Sequence, residues 1–311
     1  MAEKTGRPLR WLKAESYKTY LRSCMSNQIR ILIVGCGYVG TELAKLLRDN
    51  GHAVYTLSRS AKYINGCNHI SADLMNLAPE MLPDVQYIFF LAAPDHHSKT
   101  AYENIYMHGL EKLINAYKDR PVKRLIFASS SVVYAENSGQ WIDETATTHR
   151  DEFRADTMLQ AEEIALSFSQ SPMIARISAI YGPGRHPLLD QVLRQERFLK
   201  HDTVYSNRIY ITDLCRALEH LMRIEYNETI YNITDQEPTP INTILSWLAT
   251  ITGTLFPEAA LSDQSDHRNL KNRRISCERI IRAGFSHMYP SFQQGFHAIF
   301  KLQKQQKPLD Y

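Results

Sequence analysis

An apolar run that ends in three closely spaced glycines constrains this chain more than any other feature. Ile29, Arg30, Ile31, Leu32, Ile33 and Val34 lead into Gly35-Cys36-Gly37-Tyr38-Val39-Gly40, and Thr41-Glu42-Leu43-Ala44-Lys45-Leu46-Leu47 follows. The first run is near-continuously apolar, which suits a strand covered on both faces. After the glycines, Val39, Leu43, Leu46 and Leu47 recur at helical spacing and give one buried stripe. Strand, glycine turn and amphipathic helix in this order open a βαβ unit. Gly35 permits the tight turn, Gly37 lets a pyrophosphate approach the backbone, and Gly40 lets the helix pack closely on the strand. Tyr38 and Val39 begin the helix, whose unpaired N–H groups and dipole favour an anion at that end. The turn predicts dinucleotide binding at Gly35, Gly37, Tyr38, Val39 and Gly40.

The rhythm continues. Apolar β-rich runs recur at 29–34, 53–57, 86–92, 123–129, 173–178 and 229–233, with helical stretches near 39–50, 100–118, 151–169 and 212–223. Short strands alternating with longer helices predict an α/β fold, a Rossmann-type doubly wound parallel sheet. After about residue 185 the alternation weakens, and Pro238 and Pro240 mark a second departure. The expected organisation is a dinucleotide-binding domain from 28–185 plus 205–235, and a smaller mixed α/β substrate lobe from 186–204 plus 236–311. A ligand then belongs in the crevice outside the carboxyl ends of the strands.

Composition narrows the function classes. The 311 residues carry a formal charge of +3, but residues 1–24 hold Lys4, Arg7, Arg10, Lys13, Lys18 and Arg22 against Glu3 and Glu15. The rest of the chain is about one charge negative. Basicity confined to a tail argues against nucleic acid as a partner. Residues 1–27 read as a basic, flexible tail, with Met25 an alternative start. No stretch of about 18 apolar residues predicts a membrane span, and five scattered Cys fit reduced thiols in the cytoplasm. His96 and His97 beside Asp95 lack further ligands at metal-site spacing, so no metal is expected.

The end of the second run selects the dinucleotide. An NAD site usually places Asp or Glu there for the ribose 2′-OH, whereas a 2′-phosphate needs a cation. The sequence offers Thr56-Leu57-Ser58-Arg59-Ser60 and no acid. Ser58 and Arg59 can bind a phosphate by charge-assisted hydrogen bonds, which predicts NADP over NAD.

Further motifs extend the pattern: Ser71-Ala72-Asp73-Leu74, Leu91-Ala92-Ala93, Asn104, Ser129-Ser130-Ser131-Val132-Val133-Tyr134, the stretch from Arg176 to Arg185, the stretch from Asn207 to Leu214, and Tyr231-Asn232-Ile233-Thr234-Asp235. In this order they resemble the extended short-chain dehydrogenases/reductases, the NAD-dependent epimerase/dehydratase group, over about residues 29–298. The resemblance implies cofactor contacts at Asp73, Leu74, Leu91, Ala92, Ala93, Ser129 and Ser178, with Ser130 as the catalytic-type serine. It also implies a Tyr and a Lys four apart on the following helix. A neighbouring ammonium lowers the phenol's pKa from about 10 towards working pH, as general acid–base catalysis requires.

This chain departs from that pattern. Aligned on Ala161-Glu162-Glu163, the Tyr position holds Arg154 and the Lys position holds Met158, and no Tyr lies between 135 and 180. Such a chain resembles the atypical branch of the family. Arg154 cannot be a general acid near neutral pH but can bind an oxyanion, so Ser130 and Arg154 are the candidate catalytic residues. Met158, Tyr134 and Tyr181 read as packing, and His149 and Arg150 as loop residues one turn upstream. Arg185 and Arg208 fall where relatives hold a nucleotide-sugar phosphate and are the candidate substrate contacts. Two functions stay open. One is an NADP-dependent oxidoreductase or epimerase acting on a sugar nucleotide or a similar polar carbonyl or alcohol. The other is a non-catalytic NADP-binding redox sensor or scaffold. Dimers are common among the relatives, which leaves a homodimer open.

Overall fold

The glycine turn lies at the middle of a seven-stranded sheet. The structure, a computed structural model, describes residues 28–168, 171–196, 198–199, 204–225, 228–255, 259–260 and 271–306; the expected tail at 1–27 lies outside them. The chain runs β1 (Arg30–Val34), α1 (Tyr38–Asp49), β2 (Ala53–Ser58), β3 (Asn68–Ser71) and β4 (Tyr87–Phe90). A continuous helix, α2, follows, with α-helical turns at Lys99–Tyr102 and Leu110–Tyr117 on either side of a π-helical stretch, Glu103–Gly109. Then come β5 (Arg124–Ser130), α3 (Phe153–Leu166), β6 (Met173–Ile177), α4 (Pro187–Leu193), α5 (Ile211–Arg223) and β7 (Ile230–Ile233). Helices α6 (Ile241–Thr252), α7 (Glu278–Arg282) and α8 (Phe292–Gln306) complete it.

The sheet order is β7-β6-β5-β4-β1-β2-β3, with every pairing parallel. From β1 the chain builds outward through β2 and β3, then returns to place β4 on the opposite flank. That reversal leaves a crevice beyond the carboxyl ends of β1 and β4, where open α/β sheets bind ligands. The α/β doubly wound fold expected from the apolar runs is the fold observed. The strand β3 was not expected: Asn68-His69-Ile70-Ser71 is polar and sits at the sheet edge, so it carries no apolar run.

Period-two alternation divides β1 between two cores. Ile31 and Ile33 enter one, with Leu43, Ala44 and Leu47 of α1 and the apolar face of α5. Leu32 and Val34 enter the other, with Leu110 and Leu113 of α2 and Met158 and Ala161 of α3. Full burial of each such aliphatic side chain contributes about 1.5–3 kcal/mol.

The first core does not stop at the sheet layer. It continues through Leu189 and Val192 of α4, Ile244, Leu245 and Leu248 of α6, and Phe292 and Phe296 of α8. Arg274–Ile275 pairs in parallel with Trp141–Ile142 in a separate two-stranded sheet, and α7 packs on β7, the edge strand of the main sheet. Ala179–Tyr181 pairs in parallel with Arg208–Tyr210, joining the segment that leaves the sheet to the one that comes back. No described helix is long and apolar enough to cross a membrane.

Candidate functional site

A cavity of about 550 Å³ occupies the crevice. Its wall contains Gly35, Gly37, Tyr38, Val39, Gly40, Ser58, Arg59, Asp73, Leu74, Leu91, Ala92, Ala93, Ser129, Ser130, Ser178 and Arg185. Residues picked from separate motifs along some 150 positions thus meet around one space.

The glycine turn is shaped by contacts that no side chain could share. Gly35 has φ +99°, a left-handed conformation, and a Cβ on it would lie 2.4 Å from the Ala92 nitrogen. A Cβ on Gly40 would lie 2.0 Å from the Gly35 carbonyl oxygen, so α1 can approach β1 only with glycine there. Gly37 differs: a Cβ would meet nothing within 4 Å, because the position faces the open cavity. Gly37 is also the N-cap of α1 and has no side chain to satisfy the first N–H groups. Those donors and the positive end of the helix therefore face the cavity. A Cβ-free cradle below a 12-residue helix fits a pyrophosphate.

The far end of β2 supplies two cations. Arg59 and Lys62 both line the cavity, as do Ser58 and Ser60. The Arg59 Nη2 donates to Asp95 Oδ2, which holds the Asp95 carboxyl below its ordinary range. Asp73 lines the same end and accepts from the Met75 N–H at 2.9 Å, capping a short 3₁₀ turn, Leu74–Asn76. Lys62 and Asp95 were not among the expected contacts. Lys62 stands in a loop without a motif, and Asp95 has relevance only through the strand order that sets β4 two places from β2.

At the other end Ser130 and Ser178 line the cavity with contrasting surroundings. The Ser130 Oγ accepts from the Val132 N–H at 3.2 Å, which caps the turn Ser131–Val133 and leaves its own proton free to donate. The Ser178 Oγ is buried and has no hydrogen-bond partner among the described residues; buried hydroxyls are rarely left so. The Ser129 hydroxyl, in contrast, is engaged. It donates to Glu162 Oε1 of α3 at 2.5 Å, and Glu162 is clamped by Arg176 through Nε at 3.0 Å and Nη2 at 2.7 Å. The π-helical stretch of α2 sets Ile105 and Tyr106 in the cavity wall.

The structure does not bring Arg154 to this wall. Arg154 pairs with Glu152 at 3.7 Å, and Glu152 also holds Lys271 at 2.7 Å. Alignment fixed its place in the helix but not its direction, which a nearby carboxylate sets. Met158 is 3% exposed within the core beside α3. Arg150 is tied to Asp156 at 2.8 Å and Glu163 at 2.5 Å. The His149 ring lies 3.3 Å from the Val132 carbonyl oxygen. Tyr134 and Tyr181 are fully buried; the first donates to Asn232 Oδ1 at 2.6 Å, and the second packs between Tyr210 and Phe296. Tyr38 donates to the Pro183 carbonyl at 3.1 Å, and burial pushes its phenol up to about 12.

Of the two candidate substrate contacts, Arg185 stands in the cavity wall, its guanidinium over the Tyr38 ring at 5.8 Å. Arg208 lies outside the wall, in the strand paired with Ala179–Tyr181. It is 8% exposed, and its Nε has no hydrogen-bond partner among the described residues. Asp235 acts on it electrostatically, and burial pushes the Asp235 carboxyl well above its ordinary range.

Residues 31–234 match the family described as NAD dependent epimerase/dehydratase. The chain belongs to that family. A curated relative in Bacillus subtilis, named the uncharacterized UDP-glucose epimerase YtcB, is 25% identical over 269 residues, covering 72% of this chain and 83% of its own. A solved structure from Methylobacillus flagellatus, described as an NAD-dependent epimerase/dehydratase, is 27% identical with a TM-score of 0.73, covering 89% of this chain and all of that one. The UDP-glucuronic acid 4-epimerase of Bacillus cereus, solved with UDP-glucuronic acid and NAD, shares the fold at a TM-score of 0.75 and 21% identity, covering 89% and 99%.

Proposed function

We propose that this protein is an NADP(H)-dependent enzyme of the epimerase/dehydratase type that acts on a sugar nucleotide or a similar polar carbonyl or alcohol. The observation that carries this reading is the single crevice that gathers the glycine turn, Arg59 and Lys62 at one end, and Ser130 and Ser178 at the other. Gly35, Gly37, Gly40 and the N-terminus of α1 would hold the pyrophosphate; Arg59, Lys62 and Ser58 would hold a 2′-phosphate; Ser178 would supply the unpartnered hydroxyl beside the nicotinamide. The cofactor, when bound, supplies a hydride donor or acceptor. Ser130 hydrogen-bonds the reacting oxygen. The family relation and the UDP-sugar ligand of the Bacillus cereus epimerase support a sugar nucleotide as substrate. Within the chain, Arg185 and the under-partnered guanidinium of Arg208 support an anionic group on it.

Two measurements test the reading. NADPH fluorescence is expected to change on binding, and a screen of UDP-sugars, ketones and alcohols is expected to find turnover that Ser130→Ala lowers by about 100-fold, the range of a lost positioned hydrogen-bond donor. Binding without Ser130-dependent turnover of any compound favours the second reading, a non-catalytic NADP-binding sensor or scaffold. What favours that reading is Met158, sunk in the core where a lysine is expected.

Arg208 carries a separate prediction. A buried guanidinium with an unmade hydrogen bond lowers stability, by about 1–3 kcal/mol for each unsatisfied group. Arg208→Met is therefore expected to hold or raise the melting temperature while weakening UDP-sugar binding at least about tenfold. A clear fall in melting temperature would make Arg208 a brace for the fold instead of a ligand contact.

A further inference from the structure

We infer that Asp95 is the cofactor-discriminating residue of this crevice: it holds Arg59 across the mouth, and a 2′-phosphate binds by taking Arg59 from it. The inference rests on the dinucleotide reading above and adds to it a residue and an exchange of partners.

The geometry begins with strand order. Arg59 follows β2 and Asp95 follows β4, and β1 lies between those strands. Neighbouring strands are about 4.8 Å apart, so β2 and β4 are separated by about 10 Å. The ion pair spans that gap over the end of β1, which is where the glycine turn stands. Both residues line the cavity. A dinucleotide seated on the turn therefore lies against this pair along its adenosine half.

The pair is built to exchange. Its two side chains are 53% and 55% exposed, so neither is locked by packing. Exposed ion pairs contribute between nothing and about 1 kcal/mol, and a competing anion with more charge can displace the carboxylate. A phosphate monoester carries close to two negative charges near neutral pH and accepts bidentate bonds from a guanidinium. The local balance of charge matters as much. Arg59 and Lys62 face Asp95 and Asp73 at this end, so the site is formally neutral while Asp95 is ionised. A neutral site suits a ribose bearing only hydroxyls. Losing one carboxylate leaves a net positive site with an unengaged guanidinium, which suits a 2′-phosphate. Asp95 thus weakens NADPH binding selectively, and Arg59 strengthens it.

Fluorescence titration of NADPH and NADH against the parent, Asp95→Asn and Arg59→Ala tests this directly. Asp95→Asn is expected to tighten NADPH about fivefold and to leave NADH within twofold. Arg59→Ala is expected to weaken NADPH at least about tenfold, again with NADH little changed. Equal shifts for the two cofactors in Asp95→Asn would overturn the inference, since the pair would then act only on the part they share. A selective loss of NADH affinity in that variant would overturn it too, making Asp95 the acceptor of ribose hydroxyls. If the parent binds neither dinucleotide, the reading beneath falls as well, and with it the inference.

Discussion

Gly37→Ala is expected to fold with the melting temperature of the parent and to lose dinucleotide binding by more than about tenfold. The added methyl meets no described protein atom within 4 Å, and the backbone there, φ −82° and ψ −151°, has the negative φ that L residues adopt. Nothing in the folded chain resists the change. The same methyl projects into the cavity where a pyrophosphate would approach the first N–H groups of α1, and a lost close contact there removes hydrogen bonds to a charged ligand, about 1.5–3 kcal/mol each. Gly40→Ala is the counterpart. Its methyl would stand 2.0 Å from the Gly35 carbonyl oxygen, a backbone atom that cannot turn aside. That variant is expected to lose about 1–3 kcal/mol of stability through forced backbone shifts, and binding with it. Thermal melts and NADPH titrations on both variants separate the outcomes. Unchanged affinity in Gly37→Ala would mean that no dinucleotide seats on this turn.

The pair of variants also marks what the chain discloses before it folds. Strand, turn and α1 are legible because each relies on residues adjacent in sequence: an apolar run, glycines at fixed spacing, and a stripe at helical period. The motifs that end β4, β5 and β6 are legible for the same reason, and the parallel sheet then gathers them in one crevice. Lys62 was hidden because it stands in a loop without a motif, and Asp95 because its meaning depends on strand order. Nothing near Asp95 says that Arg59, 36 positions earlier, will stand opposite it. Arg154 shows the opposite failure. Its position along α3 followed from alignment, but its side chain took the local carboxylate of Glu152. The segment around Arg274–Ile275 pairs with Trp141–Ile142 through a two-residue strand, too short to leave a pattern.

The buried pair behind Ser129 should give the largest change in stability. Glu162→Ala is expected to destabilise the protein by about 3–5 kcal/mol, because it leaves the Arg176 guanidinium buried without its counter-charge. Both side chains are about 95% buried, at 4% and 5% exposure. Among the described residues, Arg176 would keep its hydrogen bond to the Tyr134 side chain, its place over the Tyr134 ring and a long contact to the Glu144 carbonyl at 3.5 Å. The Ser129 hydroxyl would lose its acceptor as well. Replacing both charges, as Glu162→Met with Arg176→Met, is expected to recover much of that loss, since an apolar pair of similar volume removes the desolvation penalty together with the attraction. Urea unfolding of the two singles and the double gives the coupling energy; a sum of the singles equal to the double would show that the pair acts as two independent groups. The cycle bears on chemistry too. Glu162 ties α3 to the end of β5, one residue before Ser130, so loosening it is expected to lower Ser130-dependent turnover while dinucleotide binding at the glycine turn, on the far side of β4, persists. A proportional loss of both would mean that the crevice stands or falls as one unit.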